Sequence, residues 1–114
     1  MTTQTKLDNT LTALADPTRR AILQRIALGE ARVTDLAEPF AMSLNAVSKH
    51  IRILERADLV RRRKSGREHL LSLNMAPFDE ALSWMETQRA VWKARLVALD
   101  ELLQAEDRIE TGEK

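Results

Sequence analysis

The 114 residues carry 18 Lys or Arg against 17 Asp or Glu, a formal net charge of +1, with 44% hydrophobic and 4% aromatic residues and no cysteine. That length is one domain's worth of chain, enough for a modest core but short for an enzyme that encloses its substrate. Without cysteine there is no disulfide framework, thiolate metal site or cysteine nucleophile. The polar start MTTQTKLDNT lacks the apolar run of a signal peptide, and no stretch reaches the roughly 18 apolar residues of a membrane span. A soluble, cytoplasmic protein with no membrane partner is expected. Near-neutrality hides an asymmetry: between Lys49 and His69 stand eight Lys or Arg against three acids, whereas residues 70–114 hold five bases against nine acids.

Leu7, Leu11 and Leu14 recur at helical spacing, so residues 4–14 read as a first helix. A second follows in ADPTRRAILQRIALGE, with Asp16 as N-cap, Pro17 at the first helical position, Gly29 past the end, and Ile22, Leu23 and Ile26 on its buried side. Thr34 is placed to cap a short third helix whose Leu36, Ala37 and Phe40 share a face, with Pro39 limiting it to about two turns. Phe40-Ala41-Met42 then leaves only a tight turn before Ser43 caps a fourth helix over residues 44–57, the spacing of a helix-turn-helix.

The fourth helix separates its faces. At 100° per residue Leu44, Val47, Ile51 and Leu54 fall within about 80° of one another, opposite Asn45, Ser48, Lys49, Arg52 and Arg56. Short hydrogen-bonding residues beside cations suit a helix placed in a major groove. After Leu59 the period changes, and VRRRKSGREHLLSL reads as a hairpin turning at Ser65-Gly66 and carrying Arg61, Arg62, Arg63, Lys64 and Arg67. Asn74 is placed to cap a long last helix with Pro77 in its first turn. There Phe78, Leu82, Met85, Trp92, Leu96, Leu99 and Leu103 form a heptad seam interrupted at Arg89, more apolar surface than so small a domain can bury, so a second subunit is expected to cover it. Residues 1–106 form one domain in this reading, and 107–114 a polar tail that frays.

The order helix, helix, helix-turn-helix, basic hairpin, long helix resembles the winged helix-turn-helix repressors of the ArsR/SmtB (arsenic-repressor) family over roughly residues 7–103. The residues carrying the resemblance are LADPTRRAIL at 14–23, SLNAVSKHIRILERADLV at 43–60 and the wing RRRKSGRE. It implies a mainly α fold with a small β-hairpin and a homodimer built on the first and last helices, through Leu7, Leu11, Trp84, Trp92, Leu96, Leu99 and Leu103. It implies double-stranded DNA as partner, with Ser43, Asn45, Ser48, Lys49 and Arg52 reading the major groove and Arg62, Arg63, Lys64 and Arg67 reaching the flanking backbone or minor groove. Metal-sensing members often carry Cys-Val-Cys where this chain has Arg32-Val33-Thr34, and others place His on the last helix, which here has none. Neither familiar metal site is expected, and no cofactor.

Competing readings of single features stay in view. The cationic hairpin also fits a solvated edge that resists aggregation, and the last helix also fits a protein–protein interaction module for which the hairpin only confers solubility. Trp84 and Trp92, eight residues apart, suit either plain packing or the lining of an organic-effector pocket. His50 lies near the core side of its helix, and His69 has no ligand-spaced companion, so neither marks a metal site. Ser43, Ser48 and Ser65 are accounted for by a cap, a polar face and a turn, and an enzyme is not expected.

Overall fold

The computed structural model describes residues 2–110. In chain order these form α1 (Thr3–Leu14), α2 (Pro17–Ala27), β1 (Ala31–Arg32), α3 (Val33–Ala37), α4 (Leu44–Arg56), β2 (Val60–Ser65), β3 (Glu68–Leu73) and α5 (Ala76–Glu110). The strands make one antiparallel sheet in the order β1-β3-β2. The mainly helical chain with a hairpin is as the sequence predicts; β1 is an addition. The chain divides into two compact units, Met1–Ala81 and Leu82–Lys114.

The corner between α1 and α2 is bound by the polar residues of ADPTRR. Asp16 Oδ2 accepts from the backbone N–H of Arg19 at 3.0 Å, as an N-cap should. Arg19 in turn donates through Nε to the Ala13 carbonyl (2.9 Å) and through Nη2 to that of Thr12 (2.8 Å), and Arg20 Nη1 reaches the Leu14 carbonyl at 2.8 Å. These carbonyls belong to the last turn of α1, where helical donors run out; that of Thr12 also accepts from the Ala15 N–H at 3.2 Å. One short motif therefore closes one helix and opens the next. Arg19 Nη1 also lies 3.3 Å from Nδ1 of His50, which ties the corner to α4.

The core of the first unit gathers Ile22 and Ile26 from α2, Leu36 from α3, Val47, Ile51 and Leu54 from α4, and Leu59, Val60 and Leu71 from the sheet region. Burying each large aliphatic side chain favours folding by roughly 1.5–3 kcal/mol. Thr10, the one buried polar residue among those described, donates its hydroxyl to the Lys6 carbonyl at 3.0 Å.

Several local boundaries differ from the sequence reading. Thr34 does not cap α3: Ala31 and Arg32 pair with Leu71 and Leu70, the helix starts directly at Val33, and extended Arg32 occupies the cap position without a side-chain cap bond. The helix stops at Ala37, so Phe40 reaches the core from the following turn. The hairpin turn is Gly66-Arg67, because Ser65 pairs with Glu68. Gly66 has φ +62 and Arg67 does not share a positive φ, which suits glycine at the first central position of a two-residue turn. The last helix begins at Ala76, with Asn74 Oδ1 accepting from its N–H at 3.4 Å. It runs to Glu110, through part of the tail expected to fray; residues 111–114 lie outside the described residues.

The exit from α4 is a Schellman turn. Asp58 N–H donates to the Glu55 carbonyl (2.9 Å) and Leu59 N–H to that of Leu54 (3.1 Å), while Leu54 and Leu59 both sit in the core. Asp58 takes φ +60, a conformation usually left to glycine, and the Asn74 amide holds its carbonyl at 2.8 Å.

In the second unit the residues of α5 are exposed apart from the half-buried Gln88 and Ala105. Trp92, Leu96, Leu99 and Leu103 are between 50% and 66% exposed, a continuous apolar stripe on a single helix. Leu7 and Leu11 of α1 are partly buried within the first unit.

Both the α4 exit and the α2 cap bear on stability. Asp58→Gly relieves the positive φ and should stabilise the first unit by roughly 0.5–1 kcal/mol, whereas Asp58→Val should destabilise it, both read by circular dichroism melting. The Asp16 carboxyl is held below its ordinary value, first by the Arg19 backbone N–H and further by the Arg19 charge, against some desolvation. Because folding lowers this pKa, the cap's contribution is full above the unfolded-state value of 3.8 and is lost as pH falls through the folded value. Asp16→Ala should cost about 1 kcal/mol at neutral pH, while Asp16→Asn should keep most of the cap and remove its acid sensitivity in denaturation measured above and below that pH.

Candidate nucleic-acid interface

Ser43 Oγ accepts from the Ala46 N–H at 3.2 Å and starts α4. Val47, Ile51 and Leu54 are fully buried, which fixes the helix's rotation and leaves Asn45, Lys49, Arg52 and Arg56 exposed. Two expectations need adjustment. Leu44 is 48% exposed, and Ser48 is partly buried because both line a hollow of about 390 Å³ beside the hairpin, together with Thr34, Arg62, Arg67 and His69.

Side chains alternate across a strand. Arg62 pairs with Leu71 and Lys64 with His69, so these two cations share the face of Val60 and the core, while Arg61 and Arg63 take the other face. The continuous run of cations in sequence thus becomes two short rows.

These cations are not equivalent. Arg62 forks onto Glu55 of α4, Nη2–Oε1 2.7 Å and Nε–Oε2 3.2 Å. Arg63 forks onto Glu30 at 2.7 and 2.8 Å, which lowers the Glu30 carboxyl pKa and raises that of the guanidinium. Arg32 forks onto Asp35 at 2.9 and 3.1 Å and adds Glu68 at 3.0 Å; these bonds raise its pKa, and the same fork lowers that of Asp35. Among the described residues Lys49, Arg52, Arg61, Lys64 and Arg67 have no ion-pair or hydrogen-bonded side-chain partner.

The structure therefore brings Ser48, Arg62 and Arg67 to one hollow, keeps Asn45, Lys49 and Arg52 on the exposed face of α4, and sets Lys64 near the hairpin tip. Sequence reasoning missed Glu30 and Glu55. Their partners lie 33 and 7 residues away, a separation that no local pattern encodes. His50, near the core side of α4 as the sequence suggests, is half-buried, with Nδ1 3.3 Å from Arg19 Nη1 and 3.8 Å from Asp16 Oδ2. No helix among the described residues is long and apolar enough to cross a membrane.

A helix whose buried face holds it against three others, followed by a basic antiparallel hairpin, defines a winged helix-turn-helix DNA-binding protein. Comparison with known proteins agrees. A helix-turn-helix domain model matches residues 14–63. The transcriptional repressor SdpR of Bacillus subtilis is 33% identical over 79 residues, covering 69% of this chain and 88% of that one. The arsenical resistance operon repressor of Staphylococcus xylosus is 38% identical over 69 residues, 60% of this chain and 66% of its own. An ArsR-like transcriptional regulator from Rhodococcus superposes with a TM-score of 0.78 at 29% identity, covering 88% of this chain and 94% of that structure. The chain belongs to the ArsR/SmtB family of winged helix-turn-helix transcriptional regulators.

Proposed function

We propose that this regulator is a homodimeric repressor that occupies a roughly palindromic operator, with α4 of each chain in a major groove and the hairpins outside them. The observation that carries the reading is the separation of faces on α4, since burial of Val47, Ile51 and Leu54 turns Asn45, Lys49 and Arg52 outward, while the following hairpin carries an unpaired Lys64 near its tip. The names of the relatives, both repressors, support the direction of regulation. Repression needs only occupancy of the DNA; no catalytic group is required.

The exposed stripe Trp92, Leu96, Leu99 and Leu103 supports the dimer, because apolar residues at heptad spacing gain most by meeting a second copy of themselves. Two α4 helices related by a two-fold axis would enter grooves about 34 Å apart. Ser43, Asn45, Ser48, Lys49 and Arg52 would meet the major groove, and Arg62, Arg63, Lys64 and Arg67 the flanking backbone. Trp84 would join the dimer interface.

Sedimentation should give a mass near twice 13.0 kDa, and Leu96→Glu should give a monomer with much weaker DNA binding. By fluorescence anisotropy a palindromic duplex selected from a random library should bind more tightly than a scrambled one, and both should weaken with salt. Lys64→Ala should flatten the salt dependence by about 0.9 for each phosphate that the lysine no longer neutralises, two per dimer. Equal binding to all duplexes, insensitive to Lys64, would contradict the reading.

A further inference from the structure

We infer that Glu55 is a positioning residue for DNA recognition: it holds the Arg62 guanidinium so that the Nη1–Nη2 end donates to a backbone phosphate seated in the hollow between α4 and the hairpin. The inference rests on the DNA-binding reading above and adds the residue that sets one phosphate bond and the place where that bond is made.

A guanidinium presents five N–H groups in a planar fork. Glu55 engages Nε and one Nη2 hydrogen of Arg62, so the two Nη1 hydrogens and the second on Nη2 are left without a protein partner among the described residues. Arg32 shows the contrast, because Asp35 occupies its Nε and Nη2 and Glu68 its Nη1. Arg62 is thus oriented with its whole Nη1–Nη2 edge open, whereas Arg32, which lines the same hollow, carries a carboxylate on Nη1 as well. The hollow that Arg62 lines also receives Arg67, Ser48 and Thr34, a set of cations and hydroxyl donors suited to a phosphate, and its one carboxylate, Glu68, is already engaged by Arg32.

Glu55 also joins two elements. It stands in the last turn of α4 and Arg62 near the start of β2, on either side of the turn at Asp58, and each side chain is about a third exposed (30% and 31%). A partly exposed pair of this kind adds little to folding stability. Its effect should appear in how two DNA-facing elements are held relative to each other.

The sign of one substitution decides the matter. If Glu55 only competes with DNA for Arg62, removing a negative charge beside the duplex strengthens binding. If it positions Arg62, specific binding weakens although the protein becomes more positive. The 114-residue wild type, Glu55→Ala, Glu55→Gln, Arg62→Ala and the double variant Glu55→Ala with Arg62→Ala would be titrated by anisotropy against a duplex selected by the wild type and a scrambled duplex, with melting curves for each. Glu55→Ala should lower affinity for the selected duplex about fivefold relative to the scrambled one, with an unchanged melting midpoint. Glu55→Gln, which keeps one acceptor oxygen, should lose less. In the Arg62→Ala background, Glu55→Ala should cause no further loss. Tighter binding of Glu55→Ala to both duplexes, or a loss that persists without Arg62, would overturn the inference. A wild-type protein that prefers no duplex would overturn the DNA-binding reading itself, and this one with it.

Discussion

Burial of one face of α4 is the constraint from which the remaining geometry follows. Val47, Ile51 and Leu54 are fully enclosed among α1, α2, α3 and the sheet, and a helix so gripped has a single rotational setting. Every outward side chain on it is then placed by the 100° step of the helix. The same residues set where α4 stops, since Leu54 supplies the carbonyl that closes the Schellman turn onto Leu59 and sends the chain into the hairpin. The polar corner at Asp16 and Arg19 supports this from the other side by fixing α1 against α2 and reaching His50.

Electrostatics divides into two systems with different work. One set of arginines is engaged by carboxylates: Arg32 by Asp35 and Glu68, Arg63 by Glu30, Arg62 by Glu55. The other set, Lys49, Arg52, Arg61, Lys64 and Arg67, is exposed and without a side-chain partner among the described residues. In a chain whose total charge is only +1, the acids that balance the wing stand partly within arm's length of it and partly on α5. Counting charges along the sequence therefore overstates the free positive charge of the hairpin, since Arg62 and Arg63 are paired.

What was legible in the sequence was local. The ends of α2 could be read because Asp16, Pro17 and Gly29 act within a turn of themselves, and the two faces of α4 because its period is unbroken. What was missed depends on residues distant in the chain. Pairing of Ala31 and Arg32 with β3 moves the start of α3 one residue ahead of Thr34, and no feature of residues 31–37 alone announces it. The hairpin turn was misplaced by one residue because Ser65-Gly66 and Gly66-Arg67 are both plausible turn pairs until the register is known. The residues proposed to face DNA were chosen by type and period, but their carboxylate partners, and hence which cations are held, required the fold.

The distribution of aromatic residues has a practical consequence. The chain has no tyrosine, and its two tryptophans, Trp84 and Trp92, both lie in the second unit, 43% and 58% exposed. Intrinsic tryptophan emission is thus a reporter of α5 alone. It should shift to the blue when those two side chains are covered, so assembly through α5 can be followed in an unlabelled sample.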